Sequence, residues 1–352
     1  MNELGSMSQG TMDAVITTGH GGLEMLDYRQ DVPIPSPDAG EVLVSVSACG
    51  LNNTDIWVRE GAYGTEQDPT AVVGTGRVPH RFPIIQGGDV VGKVVGVGKG
   101  VDASRIGERV ICNFMTYEEG PEGLRYAGSL GNKRDGGYAQ FVTVPSATTH
   151  AIESDYSDAE LATLPCSYMT AENMLETAGL KSGETVLVTG ASGGVGTALI
   201  QLAHVRGARV VALTSEAKRE AVASLHPKRI VTRDSSDELA SLVKEIDVVA
   251  DVVAGPLFGD LLASLKVHGR YVTAGAIGGA VVPFDVRTLY MKFLTFSGVS
   301  LGMPSHFERV LDLLSTGDVK PLLHGTYPLA AIREAQHAFM SKEHFGNLVV
   351  IP

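Results

Sequence analysis

Residues 184–215 read ETVLVTGASGGVGTALIQLAHVRGARVVALTS, and this stretch decides the fold. A β-branched run is followed by a glycine-rich turn, an apolar segment of helical period and a second β-branched run, so strand, turn, helix and strand fall at βαβ spacing. The turn is Gly190-Ala191-Ser192-Gly193-Gly194-Val195-Gly196. Without side chains in the way, backbone can approach a pyrophosphate, whose charge then sits against the unpaired N–H groups and positive dipole end of the helix. Read against G-x-G-x-x-G, Ala191 stands at the first glycine position, with Gly193 and Gly196 at the other two. The alternative is a glycine-rich turn with no ligand.

An acidic residue that holds a ribose 2′-hydroxyl is expected at the end of the second strand, about 20 residues on. That strand ends in Thr214 and Ser215 instead, with Glu216 two residues after Thr214 and then Ala217, Lys218 and Arg219. Two hydroxyls and two cations suit a 2′-phosphate, so the pattern favours NADPH over NADH. Lys218 and Arg219 read equally as a solvated helix face.

Beyond Ser215 come the helix SEAKREAVASL and the strands KRIVT, DVVADVV, RYVTAG and LTFSGVS. With the two strands already named this makes six, and the alternation implies a doubly wound parallel sheet with its ligand at the carboxyl ends of the strands. Val253, Ala274 and Gly275, at two of those ends, join the predicted cofactor site. Upstream, from Met12 to about Ile152, short apolar runs (AVITTG, EVLVSVSACG, DVVGKVVGVG, ERVICNF, YAQFVTV) bounded by turn residues predict an antiparallel, barrel-like β domain. Ala62–Pro83 and Thr116–Gly137 read as long loops that shape a site. Downstream of Gly302, two amphipathic helices (HFERVLDLLSTG, LAAIREAQHAFMSK) precede a strand, NLVVIP, that returns to the first domain. The polar stretch Met1–Thr11 is set aside.

With 352 residues, two domains are the sensible expectation. A formal charge of −12 argues against general binding of nucleic acid or anionic membranes. No apolar run is long enough to span a bilayer, and the N-terminus lacks a secretory pattern, so the expected address is the cytoplasm. Three scattered cysteines, Cys49, Cys112 and Cys166, fit a reduced compartment.

The segments ACGLNNTDIWVREGAYG, FPIIQGGDVVGKVVGVG, GERV, GGYAQFVTVP, LPCSYMTAENML and GASGGVG, in this order and spacing, resemble the medium-chain dehydrogenase/reductase superfamily over essentially the whole chain. The resemblance implies a GroES-like catalytic domain split by a Rossmann domain, at 12–155, 156–301 and 302–352, with a site in the cleft and dimers formed through the Rossmann sheets. In its zinc alcohol dehydrogenases the first segment carries a Cys ligand, the second a His within Gly-His-Glu, and a third ligand follows in the inter-domain helix. Here those positions hold Asn52, Gly88 in Gly87-Gly88-Asp89, and a neighbourhood containing Cys166. With two of three ligands missing, a catalytic zinc with an open fourth position cannot be assembled there, nor can three cysteines make a four-cysteine structural site. His80 reads as a solvated or structural loop residue and Cys166 as a buried thiol.

The zinc-free pattern resembles the quinone oxidoreductase branch and its enoyl reductase relatives. In that light Asn52 faces substrate or nicotinamide, or is a turn residue; Tyr63 is the proton donor, or an exposed loop aromatic. Trp57, the single tryptophan, lines the pocket or sits in the core, and Thr170 lies near the nicotinamide or bonds its own helix. The expected activity is transfer of a hydride from NADPH to a small electron-poor carbonyl compound. An alcohol dehydrogenase with an atypical metal site and a non-catalytic NADPH-binding protein are the rival readings.

Overall fold

The computed structural model of the protein describes residues 10–63, 81–120 and 123–352. The chain divides into two compact units, one of residues up to Pro165 with Leu323–Glu343 and Asn347–Pro352, the other of Cys166–Leu322 with His344–Gly346. The sequence reading put the divisions at 155/156 and 301/302. Both fall later for a packing reason. Helix Pro304–Ser315 buries His306, Phe307, Val310 and Leu314, and its Arg309 and His306 reach Glu172 at 2.9 Å and Glu176 at 3.3 Å on helix Pro165–Thr177. The first of the two amphipathic helices assigned to the return segment therefore belongs to the second unit.

In the first unit, strands numbered in chain order are β1 (Thr11–Thr17), β2 (Leu26–Pro33), β3 (Glu41–Gly50), β4 (Ile84–Ile85), β5 (Asp89–Val97), β6 (Arg109–Cys112), β7 (Met115–Gly120), β8 (Gly123–Ser129), β9 (Phe141–Pro145) and β10 (Thr149–Ala151). The later segments of the chain add β17 (Leu323–Pro328) and β18 (Asn347–Ile351) to this unit. The main sheet runs β10-β6-β5-β3-β18-β17, with β9 also on β3. Its ladders are antiparallel except β17 on β18. A smaller sheet runs β2-β1-β4. Val42, Val44, Ala48, Val90, Val91, Val94, Val110 and Ile111 are buried, as expected of strands read as near-continuous apolar runs. NLVVIP does return to this unit, with Val349 opposite Gly50.

Two expectations change. Thr116–Gly137 is not simply a loop: β7 and β8 form an antiparallel hairpin, with Tyr117 opposite Tyr126 and Glu118 paired to Arg125 at 2.7 Å. Cross-strand aromatic and ion pairs supply what the Gly-rich, charged composition concealed. The strand Leu323–Pro328, with Gly325 and Pro328 in it, carries no local strand signal and is defined by its partner. Most of Ala62–Pro83, the other long loop, lies outside the described residues.

The second unit is built on β11 (Thr185–Val188), β12 (Arg209–Thr214), β13 (Arg229–Thr232), β14 (Ile246–Asp251), β15 (Leu265–Thr273) and β16 (Thr295–Gly298). They form one sheet in the order β13-β12-β11-β14-β15-β16, and every ladder is parallel. The order reverses beside β11, so the carboxyl ends of β11 and β14 open the crevice in which such sheets bind ligands. Leu187, Val211, Leu213, Val231 and Val249 build its core with Phe258, Leu261 and Tyr271.

Within the first unit Arg59 is fully buried and ties helix Asn53–Glu60 to helix Ile332–Ser341. It donates to Gln336 Oε1 at 3.0 Å and to the Gly21 carbonyl at 2.6 Å, and its charge faces Glu60 at 3.4 Å. Arg59→Ala strips both oxygens of these donors, so urea unfolding is expected to show a loss of about 2–4 kcal/mol. A loss under about 1 kcal/mol would mean that water replaces the guanidinium without penalty.

Candidate active site

The glycine-rich turn of the second unit leaves β11 through Gly190, whose φ of +55° favours glycine. Gly193 precedes helix Gly194–Val205 and no side chain caps that terminus, so the first-turn N–H groups stay available to an anion. A Cβ on Gly196 would run into the Gly190 carbonyl and lie 2.8 Å from the α-carbon of Ala191. Strand and helix can close on each other only with glycine there. Gly346 N donates to the Ser192 carbonyl at 2.9 Å and so laces the end of the chain to the turn. Ala191 is fully buried, and Ser192, Gly194 and Val195 are half-buried along the same edge.

Val253 meets this turn, and Ala274 and Gly275 meet the two residues before Val253, Asp251 and Val252. A Cβ on Gly190 would touch Val252 and Val253 at 3.1 and 3.2 Å, one on Gly275 would lie 3.0 Å from the Val252 carbonyl, and Ala274 N donates to the Asp251 carbonyl at 3.2 Å. At the end of β12, Thr214 is 5% exposed and its hydroxyl has no hydrogen-bond partner among the described residues. A buried, unmet hydroxyl at the place where the second strand delivers a ribose fits a bound dinucleotide. Ser215 is half-buried beside it. Lys218 Nζ donates to the His344 carbonyl at 2.6 Å. The Arg219 guanidinium pairs with Glu216 and Glu238, each at 2.9 Å.

In the first unit, Asn52 ends the extended chain before helix Asn53–Glu60, which carries Trp57 and is followed by Tyr63. The rings of Trp57 and Tyr63 meet edge to face, 5.4 Å between centroids. Asn52 is 9% exposed, and its Nδ2 donates to Asp89 Oδ2 at 2.9 Å. An ionised carboxylate only accepts, so Asp89 fixes which end of the amide faces it. Asp55 Oδ2 accepts from Asn52 N and from Tyr138 OH, both at 2.8 Å. Asp55, Asp89 and Tyr138 were missed in the sequence; the Asn-x-x-Asp spacing of a helix N-terminus was the one available signal, for Asp55. Thr170, in the second unit, is 6% exposed within helix Pro165–Thr177, and Cys166 is buried.

The positions that the resemblance assigns to metal ligands are held by Gly88 and Asn52. A Cβ on Gly88 would lie 3.2 Å from the buried Phe114, and the Asn52 amide turns a donor to Asp89. Among the described residues no group of three or more His, Cys, Asp or Glu is arranged to hold a metal ion. His80 lies outside the described residues.

Residues 38–154 match the alcohol dehydrogenase GroES-like domain and residues 194–316 the zinc-binding dehydrogenase family. A Sinorhizobium meliloti protein, described provisionally as an alcohol dehydrogenase, shares 48% of its sequence with this chain at a TM-score of 0.92, over 99% of this chain and 100% of that one. The acryloyl-coenzyme A reductase of Metallosphaera sedula is 28% identical over 96% of this chain and 99% of its own length. The quinone oxidoreductase of Rattus norvegicus is 28% identical over 97% and 98%. The chain belongs to the medium-chain dehydrogenase/reductase superfamily. It is an oxidoreductase by family, and no helix among the described residues is long and apolar enough to cross a membrane.

Burial pushes the Asp55 carboxyl up to about 6 from its ordinary 3.8, against the pull of the Asn52 N–H, the Tyr138 hydroxyl and the Gly87 backbone. A raised acid favours the fold fully below about pH 4 and loses that contribution as pH rises through about 6. About two pH units correspond to roughly 3 kcal/mol. Asp55→Asn keeps an acceptor and carries no charge. Its stability relative to wild type is therefore expected to improve between pH 4 and pH 7 by an amount of that order, read by denaturant unfolding at each pH. A difference that does not change with pH would overturn the assignment.

Proposed function

We propose that this protein transfers a hydride from NADPH to an activated carbonyl acceptor, a quinone or enone, without a metal ion. The observation that carries the reading is Asn52: where the zinc enzymes of the superfamily place a ligand, this chain places an amide pinned by Asp89. The intact glycine-rich turn and the unmet Thr214 hydroxyl support a dinucleotide in the second unit. NADPH in preference to NADH is supported by the absence of a carboxylate at Thr214 and Ser215 and by Lys218, while Arg219, engaged by Glu216 and Glu238, adds little.

The reduced nicotinamide supplies the hydride. Addition to a quinone or to the β-carbon of an enone builds negative charge on the acceptor oxygen. Donors in a dry site stabilise that charge, each typically by about 3 kcal/mol. One Asn52 N–H is held by Asp89, which leaves the amide oriented to offer its second N–H. The Tyr63 hydroxyl donates to the same oxygen and delivers the proton, and the Trp57 ring it leans on supplies an apolar wall. Thr170 is the second unit's candidate near the nicotinamide. NADPH oxidation against quinones, enones, enoyl thioesters and aldehydes, repeated with chelator, tests the reading. Stoichiometric zinc with chelator-sensitive alcohol oxidation would replace it with the alcohol dehydrogenase reading, and NADPH binding without turnover of any acceptor with the non-catalytic one.

Tyr63→Phe is expected to lower turnover by about tenfold or more while NADPH affinity holds; unchanged turnover would remove Tyr63 from the mechanism. The working unit proposed is a cytoplasmic homodimer joined through the edge strand β16. Exposed Tyr290, Met291 and Phe293, at 58%, 67% and 64%, lead directly into that strand. Light scattering should give twice the chain mass for wild type and a monomer for Phe293→Asp, and a wild-type monomer would refute the dimer.

A further inference from the structure

The carboxylate of Asp251, fully buried at the end of β14, gathers an unusual number of donors. Oδ1 accepts from Thr189 Oγ1 at 2.5 Å, from Val253 N at 2.8 Å and from Ala254 N at 3.1 Å; Oδ2 accepts from Ala254 N at 3.1 Å and from Tyr271 OH at 2.5 Å. Burial and the adjoining Asp251 charge push the Tyr271 phenol far up, so it stays protonated and donates. Thr189 passes the contact on, since its hydroxyl accepts from Val252 N at 3.0 Å. Three strands are thus joined at one point: β14 through Asp251, β15 through Tyr271, and β11 through Thr189, one residue before the Gly190 turn.

What the carboxylate holds is strained. Ala254 lies at φ 55° and ψ −138°, a region that suits glycine, and Gly255 follows at φ 70°. A non-glycine residue stays there only when its surroundings over-determine it. Two of this loop's neighbours, Gly190 and Gly275, belong to the predicted cofactor site. Val252 and Val253 pack on Gly190, Gly275 lies on the Val252 carbonyl, and Gly278 N donates to the Val253 carbonyl at 2.7 Å.

We propose that Asp251 is a positioning residue for the dinucleotide: its carboxylate clamps Val252–Gly255 in the left-handed bend that sets this loop against the Gly190 turn. The proposal rests on the reading that the second unit binds a nicotinamide dinucleotide, and adds which group shapes the seat. Only an acceptor-only group suits four convergent donors. An amide in its place turns N–H groups toward N–H and O–H.

Four proteins test it: wild type, Asp251→Asn, Ala254→Gly and the double variant, compared by dissociation constants for NADPH and NADH and by amide hydrogen exchange at Val253 and Ala254. Asp251→Asn is expected to weaken the dinucleotide about tenfold or more and to lose protection at both amides. Glycine adopts the bend without a clamp, so the double variant should bind within about threefold of Ala254→Gly. A merely structural aspartate would not be rescued by relieving strain three residues away. Unchanged affinity in a folded Asp251→Asn, or a double variant as weak as the single, overturns the proposal. Should the single variant fail to fold, the comparison of the double with Ala254→Gly decides, and a double that also fails to fold makes Asp251 a folding residue and overturns it. Wild type binding neither dinucleotide sinks the cofactor reading; the clamp is then judged by exchange alone, and retained protection in Asp251→Asn refutes it.

Discussion

The near-contact of Gly196 with the carbonyl of Gly190 is the constraint on which the second unit depends. It allows helix Gly194–Val205 to start directly over the end of β11, with its uncapped N–H groups at the carboxyl edge of the sheet. One added methyl group would push the two apart and take the helix terminus away from any anion that it is meant to hold. The loop after β14 packs on the turn through Val252 and Val253, and Asp251 accepts from Ala254 N at its strained bend.

The first unit solves a different problem with buried polar groups. Where a metal would organise side chains by charge, Asn52, Asp55, Asp89 and Tyr138 organise one another by hydrogen bonds. The cost is visible in Asp55, whose ionised form burial disfavours. A network of this kind holds an amide in one orientation without a cation, which suits chemistry that needs hydrogen-bond donors aimed at a developing negative charge.

Much of the architecture was legible because it is written locally. Strands and helices at βαβ spacing, and the glycines between them, carry their own period and turn chemistry, so the six-stranded sheet and the motif were readable from ETVLVTGASGGVG onward. The hairpin β7–β8 and the strand β17 were not, since their strand character comes from partners rather than from their own residues. The same holds for the boundary after helix Pro304–Ser315, whose Arg309 and His306 contact Glu172 and Glu176. Single side chains were less legible: the pairing of Arg219 with Glu216 and Glu238 could not be read from its position.

By itself, the sequence determined the sheet, the helix that opens on Gly193 and the loss of two zinc-ligand positions, Asn52 and Gly88, because periodicity, glycine placement and residue identity need no third dimension. Only the tertiary structure decided what the polar side chains do: that Asn52 turns its amide to Asp89, that Asp55 is buried against Tyr138, and that Asp251 gathers donors from Thr189, Tyr271 and its own loop. Hydrogen bonds between residues far apart in the chain are directional and short-ranged, so their partners exist only once the strands that bear them have been brought together.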